Sequence, residues 1–158
     1  MQIKPKKSLS QNFLIDNNII EKISSITEVA NKEILEVSPG TGNLTSFLLK
    51  KKPKKFYALE KDKNLYSLLV SKFKNKIEIK NLDVLKTDLN KISKKKLIVF
   101  GNLPYNISTE ILCRWILNLD KKYFWFDGLV LMFQKEVADR IVSKFNSHLY
   151  GRLSILAN

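Results

Sequence analysis

Glu33-Ile34-Leu35-Glu36-Val37-Ser38-Pro39-Gly40-Thr41-Gly42 is the stretch on which the fold turns. Glu33 to Val37 reads as a strand, a glycine-containing turn follows, and Leu44, Phe47 and Leu48 then recur at helical spacing. The same change of period repeats outward from it. Phe56 to Glu60 reads as a second strand, and Leu65, Leu68, Leu69 and Phe73 mark the helix behind it. Ile77 to Lys80 is a short third strand leading into Asn81-Leu82-Asp83-Val84. Beyond a lysine-rich connection, Leu97 to Phe100 is a fourth strand, and Ile107 to Leu119 a helix with Ile111, Leu112, Trp115 and Ile116 inward. Gly128 to Phe133 reads as a fifth strand, with Val137, Ile141 and Phe145 on the helix after it. On the N-terminal side, Asp16 caps a first helix that carries Ile19, Ile20, Ile23 and Ile26. Strands alternating with helices predict an α/β fold, a mostly parallel sheet covered by helices on both faces.

Composition narrows the class. The 158 residues suffice for one domain. Hydrophobic content is 44%, yet no apolar run approaches the ~20 residues of a membrane span, so no membrane partner is expected. Met1 to Lys7 is basic with no apolar segment behind it, which is not the pattern of a secretory signal. Cys113 is the single cysteine, so a disulfide framework is excluded and a reducing, cytoplasmic setting is expected. The net charge of +13 suggests a polyanionic partner such as RNA. Of the 28 basic residues, only Arg114, Arg140 and Arg152 are arginine. A chain this rich in lysine, isoleucine and asparagine also fits an A+T-biased genome, so charge alone does not decide the matter. The last segment, Leu153 to Asn158, is apolar without a closing turn. It reads as a run that continues into further packed chain, with the fifth strand left as an edge, and therefore as the end of a fragment.

Three strand ends carry the chemistry. Gly40 and Gly42 open the turn after the first strand, where a Cβ would obstruct a ligand's approach to the backbone. Glu60 ends the second strand, where doubly wound folds place the acid that accepts from ribose hydroxyls. Asp83 follows the third and is placed to accept from an adenine amino group. Together they favour an adenosine-bearing cofactor. Thr45 stands where a dinucleotide fingerprint would have its third glycine, and no Gly-Lys-Ser/Thr phosphate loop is present. S-adenosyl-L-methionine carries no phosphate and tolerates this shorter turn, which points to methyl transfer.

Gly101-Asn102-Leu103-Pro104-Tyr105-Asn106 then follows the fourth strand. An aromatic amine is a poor nucleophile because its lone pair is delocalised into the ring. The Asn102 amide oxygen and the Leu103 carbonyl can each accept one N–H, stabilising the positive charge that develops on nitrogen. Pro104 keeps Leu103 extended, and Tyr105 is placed to stack on the base, which must be unpaired or flipped to enter. Taken alone, this tetrapeptide also fits an ordinary strand-end turn. Other reactive residues offer less: His148 reads as a surface loop residue, Cys113 as core, and Trp115 and Trp125 as packing. One histidine and one cysteine do not make a metal cluster.

At these residues the chain resembles the ribosomal RNA adenine dimethyltransferase family, in particular the small-subunit enzymes. The matching strings are Ser10-Gln11-Asn12-Phe13-Leu14, Glu36 through Gly42, Glu60, Asp83, Phe100 through Thr109, Gln134-Lys135-Glu136-Val137 and Tyr150-Gly151-Arg152-Leu153-Ser154. The resemblance implies a Rossmann-like class I methyltransferase domain over 1–158, truncated before the last two strands and the helical C-terminal domain. It implies that Asn12 and Leu14 contact S-adenosylmethionine together with the turn at Ser38 and Gly40. It assigns Glu60 to ribose, Asp83 to adenine and Asn102 to the boundary between donor and acceptor. It further implies N6-dimethylation of two adjacent adenosines of small-subunit (16S) rRNA on the immature 30S subunit, by a monomer. Ser38 departs from the family's usual glycine, which is expected to crowd the methionine end of the donor or alter the turn. A chain ending at Asn158 is expected to bind the donor yet methylate poorly. Two other readings share these residues: a large-subunit rRNA methylase of the macrolide-resistance type, and a non-catalytic RNA-binding assembly or transcription factor.

Overall fold

The computed structural model describes residues 12–119 and 124–157. Met1 to Gln11 and Asn158, which include the basic N-terminus and two residues of the Ser10–Leu14 string, lie outside the described residues. Five strands form one parallel sheet: β1 (Glu33–Val37), β2 (Lys55–Leu59), β3 (Glu78–Lys80), β4 (Leu97–Gly101) and β5 (Phe126–Leu131). Their order is β3-β2-β1-β4-β5. β1 lies at the centre, with Leu35 level with Tyr57 on one side and Val99 on the other. The helices are α1 (Asn17–Ser24), α2 (Asn43–Lys50), α3 (Lys63–Phe73), α4 (Tyr105–Leu117), α5 (Lys135–Ile141) and α6 (Arg152–Ala157).

Handedness distributes the helices. The connections through α2 and α3 step the chain one way across the sheet, and the connection through α4 steps it the other way. Right-handed crossovers must therefore put α2 and α3 on one face and α4 on the opposite face. The core follows this division. Ile34, Phe56, Ala58, Ile98 and Phe100 pack with Ile20, Leu48 and Leu69, while Leu35, Val37, Leu59 and Val99 pack with Ile111 and Trp115. Successive strand residues alternate between these two clusters, which is why β1 and β4 read as unbroken apolar runs. Phe100 is fully buried, and truncating such a side chain to alanine costs about 3–5 kcal/mol.

Two aspartates set helix starts. Asp16 Oδ1 accepts from the N–H groups of Asn18 and Ile19 at 2.8 and 3.2 Å, the cap expected from sequence. Asp62 does the same for Asn64 and Leu65 at 2.8 and 3.1 Å, and begins α3 at the end of β2.

Several boundaries differ from expectation. α1 stops at Ser24, whose hydroxyl bonds back to the Glu21 carbonyl, so Ile26 falls outside the helix and is exposed. α4 begins at Tyr105 rather than at position 107, because Pro104 supplies the helix entry and Ile107 N–H already bonds to its carbonyl. β5 spans Phe126–Leu131 instead of 128–133, since Phe126 pairs with Leu97 across a register shift. Phe145 lies beyond α5 and is exposed, and the closing apolar segment forms α6. Cys113 is half-buried rather than core, whereas Trp115 and Trp125 are buried and stack edge-to-face. His148 is exposed, as expected. No helix among the described residues is long and apolar enough to cross a membrane, and no metal-holding group of His, Cys, Asp and Glu occurs among them.

Candidate active site

The sheet's strand order reverses between β1 and β4, and the crevice above that point is where open α/β sheets bind ligands. A pocket occupies it. Ser38, Gly40, Glu60, Asp83, Asn102 and Pro104 line this pocket from four strand ends. Asn12 and Leu14 close it from the N-terminal side.

Each polar group is held by a specific bond. Glu60 is almost fully buried, with Oε2 accepting from Gly40 N–H at 3.2 Å and Oε1 from Asp62 N–H at 2.9 Å. Burial pushes its carboxyl above the usual range, against those N–H groups. Glu60 thereby ties the turn after β1 to the end of β2. Asp83 Oδ1 accepts from Leu85 N–H at 3.0 Å, and Oδ2 lies 2.9 Å from Lys61 Nζ. Desolvation resists ionisation of Asp83, but the Lys61 bond and the Leu85 N–H outweigh it and hold the carboxyl below its ordinary value. Leu82, Val84, Leu85 and Ile107 give this end of the pocket apolar walls suited to a flat ring.

At the opposite end, Asn102 Nδ2 donates to the Asn12 carbonyl at 2.7 Å. Committing the NH2 group in this way leaves Oδ1 as the available acceptor of the amide. Asn43 Nδ2 likewise donates to the Leu14 carbonyl at 2.8 Å, a second clasp on the same segment. Ser38 adopts φ 57°, the left-handed geometry that glycine takes without cost, and its N–H bonds to Leu59 O at 2.9 Å. Ser38 thus takes a backbone path that favours glycine, with its side chain carried on the pocket wall.

Gly42 and Tyr105 stand off the pocket wall, and Leu103, expected to act through its carbonyl, turns its side chain into the core. Gly42 is not on the pocket wall; at φ 76° it begins α2 and packs against Phe73 and Leu69. The Leu103 side chain is buried in the core face shared with Trp115. Tyr105 is part-exposed at the start of α4, beside the pocket rather than lining it. Sequence reading had no role for Glu36, which the structure places in the pocket wall, fully buried, accepting from Thr45 Oγ1 at 2.6 Å. Burial pushes its carboxyl up to about 7, offset in part by the Thr45 hydroxyl and reinforced by the charge of Glu60. The available signal was an acid in a strand whose other face is apolar. Asn43, Lys61 and Asp62 were also missed; their partners lie far off in sequence or in the backbone of the next turn.

Comparison with known proteins shows the family. The family model described as ribosomal RNA adenine dimethylase matches residues 2–158. Ribosomal RNA small subunit methyltransferase A of Pelagibacter ubique (strain HTCC1062) is 63% identical over the whole chain, which covers 60% of that protein. Its counterpart in Ehrlichia ruminantium (strain Gardel) is 42% identical, covering 98% of this chain and 59% of that one. A dimethyladenosine transferase from Plasmodium falciparum superposes with TM-score 0.78 at 29% identity, over 92% of this chain and 51% of that one. The 23S rRNA methyltransferase ErmE gives 0.70 at 26% identity, over 92% and 55%. The chain thus spans about 60% of the length of the curated relatives it matches. It belongs to the ribosomal RNA adenine dimethylase family.

Proposed function

We propose that residues 1–158 form the donor-binding domain of an S-adenosylmethionine-dependent enzyme that dimethylates adenosine N6 in small-subunit rRNA, acting in the cytoplasm on the immature subunit. The observation that carries this reading is the fixed amide of Asn102, its acceptor oxygen free, at the mouth of a pocket whose far end holds Glu60 and Asp83.

The residues fit the donor. Glu60 keeps lone pairs free for ribose hydroxyls beyond those used by Gly40 and Asp62. Asp83 sits among apolar side chains where an adenine amino group would need an acceptor. A Cβ on Gly40 would lie 3.2 Å from Phe13, so the turn leaves no spare width there. When bound, S-adenosylmethionine supplies an electrophilic methyl group on a sulfonium. The chain's own part is to orient the acceptor: Asn102 Oδ1 and the Leu103 carbonyl would each accept a hydrogen bond from one N6–H and favour a tetrahedral nitrogen. These dipoles would stabilise positive charge developing on the acceptor nitrogen, whose surplus proton would pass to water. No general base is required.

Calorimetric titration of the folded chain with S-adenosylhomocysteine tests donor binding, and labelled-methyl transfer to undermethylated small and large subunits tests the acceptor. One-to-one donor binding is expected, with weak labelling by this chain and what label there is in small subunits. Label in large subunits alone would favour the macrolide-resistance type of methylase.

A further inference from the structure

A basic feature lies at the edge of the sheet opposite the pocket. All five strands are parallel, so their N-terminal ends share that edge. Five strand residues at ~3.3 Å each put it about 17 Å from the pocket edge. There Lys32, Glu33, Lys54, Lys95, Lys96 and Asp127 surround a basin of about 290 Å³.

The basin is built from three turns tied to one another. Asn31 N–H bonds to Lys52 O at 3.1 Å, Lys54 N–H to Lys32 O at 2.7 Å, and Ser93 Oγ to Glu33 Oε2 at 2.6 Å. Lys52, Lys55 and Lys94 are exposed on the same turns. Two acids, Glu33 and Asp127, offset only part of this array of Lys32, Lys52, Lys54, Lys55, Lys94, Lys95 and Lys96. Glu33 is buried, and its Oε2 is taken by Ser93 and by the Tyr57 hydroxyl at 3.3 Å. Among the described residues Asp127 pairs with Lys96, at 4.0 Å across half-exposed side chains, a contact worth less than about 1 kcal/mol. Lysines otherwise scattered along the sequence, in the runs 50–55 and 94–96, are brought by the parallel topology to one edge. Lys32, Lys54, Lys95 and Lys96 thus present cations around a single concavity, the arrangement that suits several phosphates of one strand.

We infer that this lysine basin is a second RNA-binding surface, engaging the phosphate backbone of a nucleic-acid segment remote from the one that enters the pocket. The inference goes beyond the methyl-transfer reading, because it requires no donor and no reaction. The charges are point cations without arginine's planar fork, so the contact is independent of base sequence. It positions the RNA rather than selecting it.

The test is K54Q/K95Q/K96Q beside a control, K22Q/K135Q/K144Q, whose lysines are exposed elsewhere. Affinity for a short RNA hairpin is measured over a potassium chloride series. Each lost phosphate contact lowers the slope of log affinity against log salt by about 0.9, so the basin variant should lose roughly 2–3 in slope. The control should lose less than ~1. K54R/K95R/K96R should retain wild-type slope, and unchanged circular dichroism should show that each variant is folded. Equal losses in both glutamine variants, or none in either, would overturn the proposal. So would dependence on these lysines for phosphatidylglycerol vesicles but not for RNA. Titration with S-adenosylhomocysteine in the same variants keeps the two readings apart: failed donor binding sinks the methyl-transfer reading and leaves the RNA slopes interpretable.

Discussion

The side-chain amide of Asn102 donates to the main-chain carbonyl of Asn12 at 2.7 Å, linking the end of β4 to a segment 90 positions earlier. One bond therefore closes the pocket and aims the acceptor oxygen. Asn102→Ala removes both. Losing one preorganised acceptor typically lowers turnover about 10²–10³-fold. Methyl transfer to undermethylated small subunits should fall by that order, while donor affinity changes by less than about tenfold. Near-normal turnover in this variant would remove Asn102 from the mechanism and favour a role confined to RNA binding.

Glu60 offers a test on the donor side. Its two oxygens receive Gly40 N–H and Asp62 N–H, so Glu60→Gln turns an NH2 group toward one backbone donor. Leaving a buried donor unsatisfied costs about 1–3 kcal/mol. Affinity for S-adenosylhomocysteine should weaken roughly 10- to 100-fold, with a melting temperature lower by several degrees. An unchanged dissociation constant would mean that ribose is held elsewhere.

The strands were legible because both sheet faces are covered. Runs such as Leu97 to Phe100 stay apolar without alternation, and only a doubly packed strand does so. Glu60 and Asp83 were legible because topology puts strand ends at one edge. What could not be read was the partner of each polar group. Asn43 reaching the Leu14 carbonyl, or Lys61 reaching Asp83, depends on turn paths that carry no periodic signal. Gly42 shows a subtler limit. Its place in the glycine turn suggested contact with a ligand, yet what crowds it is the Phe73 ring on α3.

That crowding distinguishes Gly42 from Gly40. A Cβ on Gly42 would lie 2.5 Å from Phe73 Cε2 and 2.9 Å from Leu69 Cδ2, at a backbone φ of 76°. A Cβ on Gly40, at φ 60°, meets nothing nearer than Phe13 at 3.2 Å. Both alanines pay the left-handed penalty of about 1–2 kcal/mol, but only Gly42→Ala must also displace core side chains, adding about 1–3 kcal/mol. Gly42→Ala should therefore melt lower than Gly40→Ala, by roughly 2–4 °C for each kcal/mol of difference. Gly40→Ala should show the larger loss of donor affinity relative to its loss of stability. Equal melting temperatures would show that α3 yields to the added methyl.

Glu36 makes stability depend on pH. Burial raises its carboxyl from 4.5 to about 7, so the folded chain binds a proton that the unfolded chain has released between those values. Stability from this group is full below pH 4.5 and is lost as pH rises through 7. At 1.36 kcal/mol per unit the whole effect is about 3 kcal/mol. Glu60, also raised by burial, acts in the same direction and leaves a residual slope. Glu36→Gln keeps an acceptor for the Thr45 hydroxyl but cannot ionise. Its urea midpoint should vary less between pH 5 and 8 than wild type, with the gain largest at pH 8. A cationic donor beside Glu36 favours the carboxylate, so wild-type affinity for S-adenosylmethionine should rise from pH 6 to 8 more steeply than that of the glutamine variant. Parallel pH profiles for the two proteins would place the ionisation on another group.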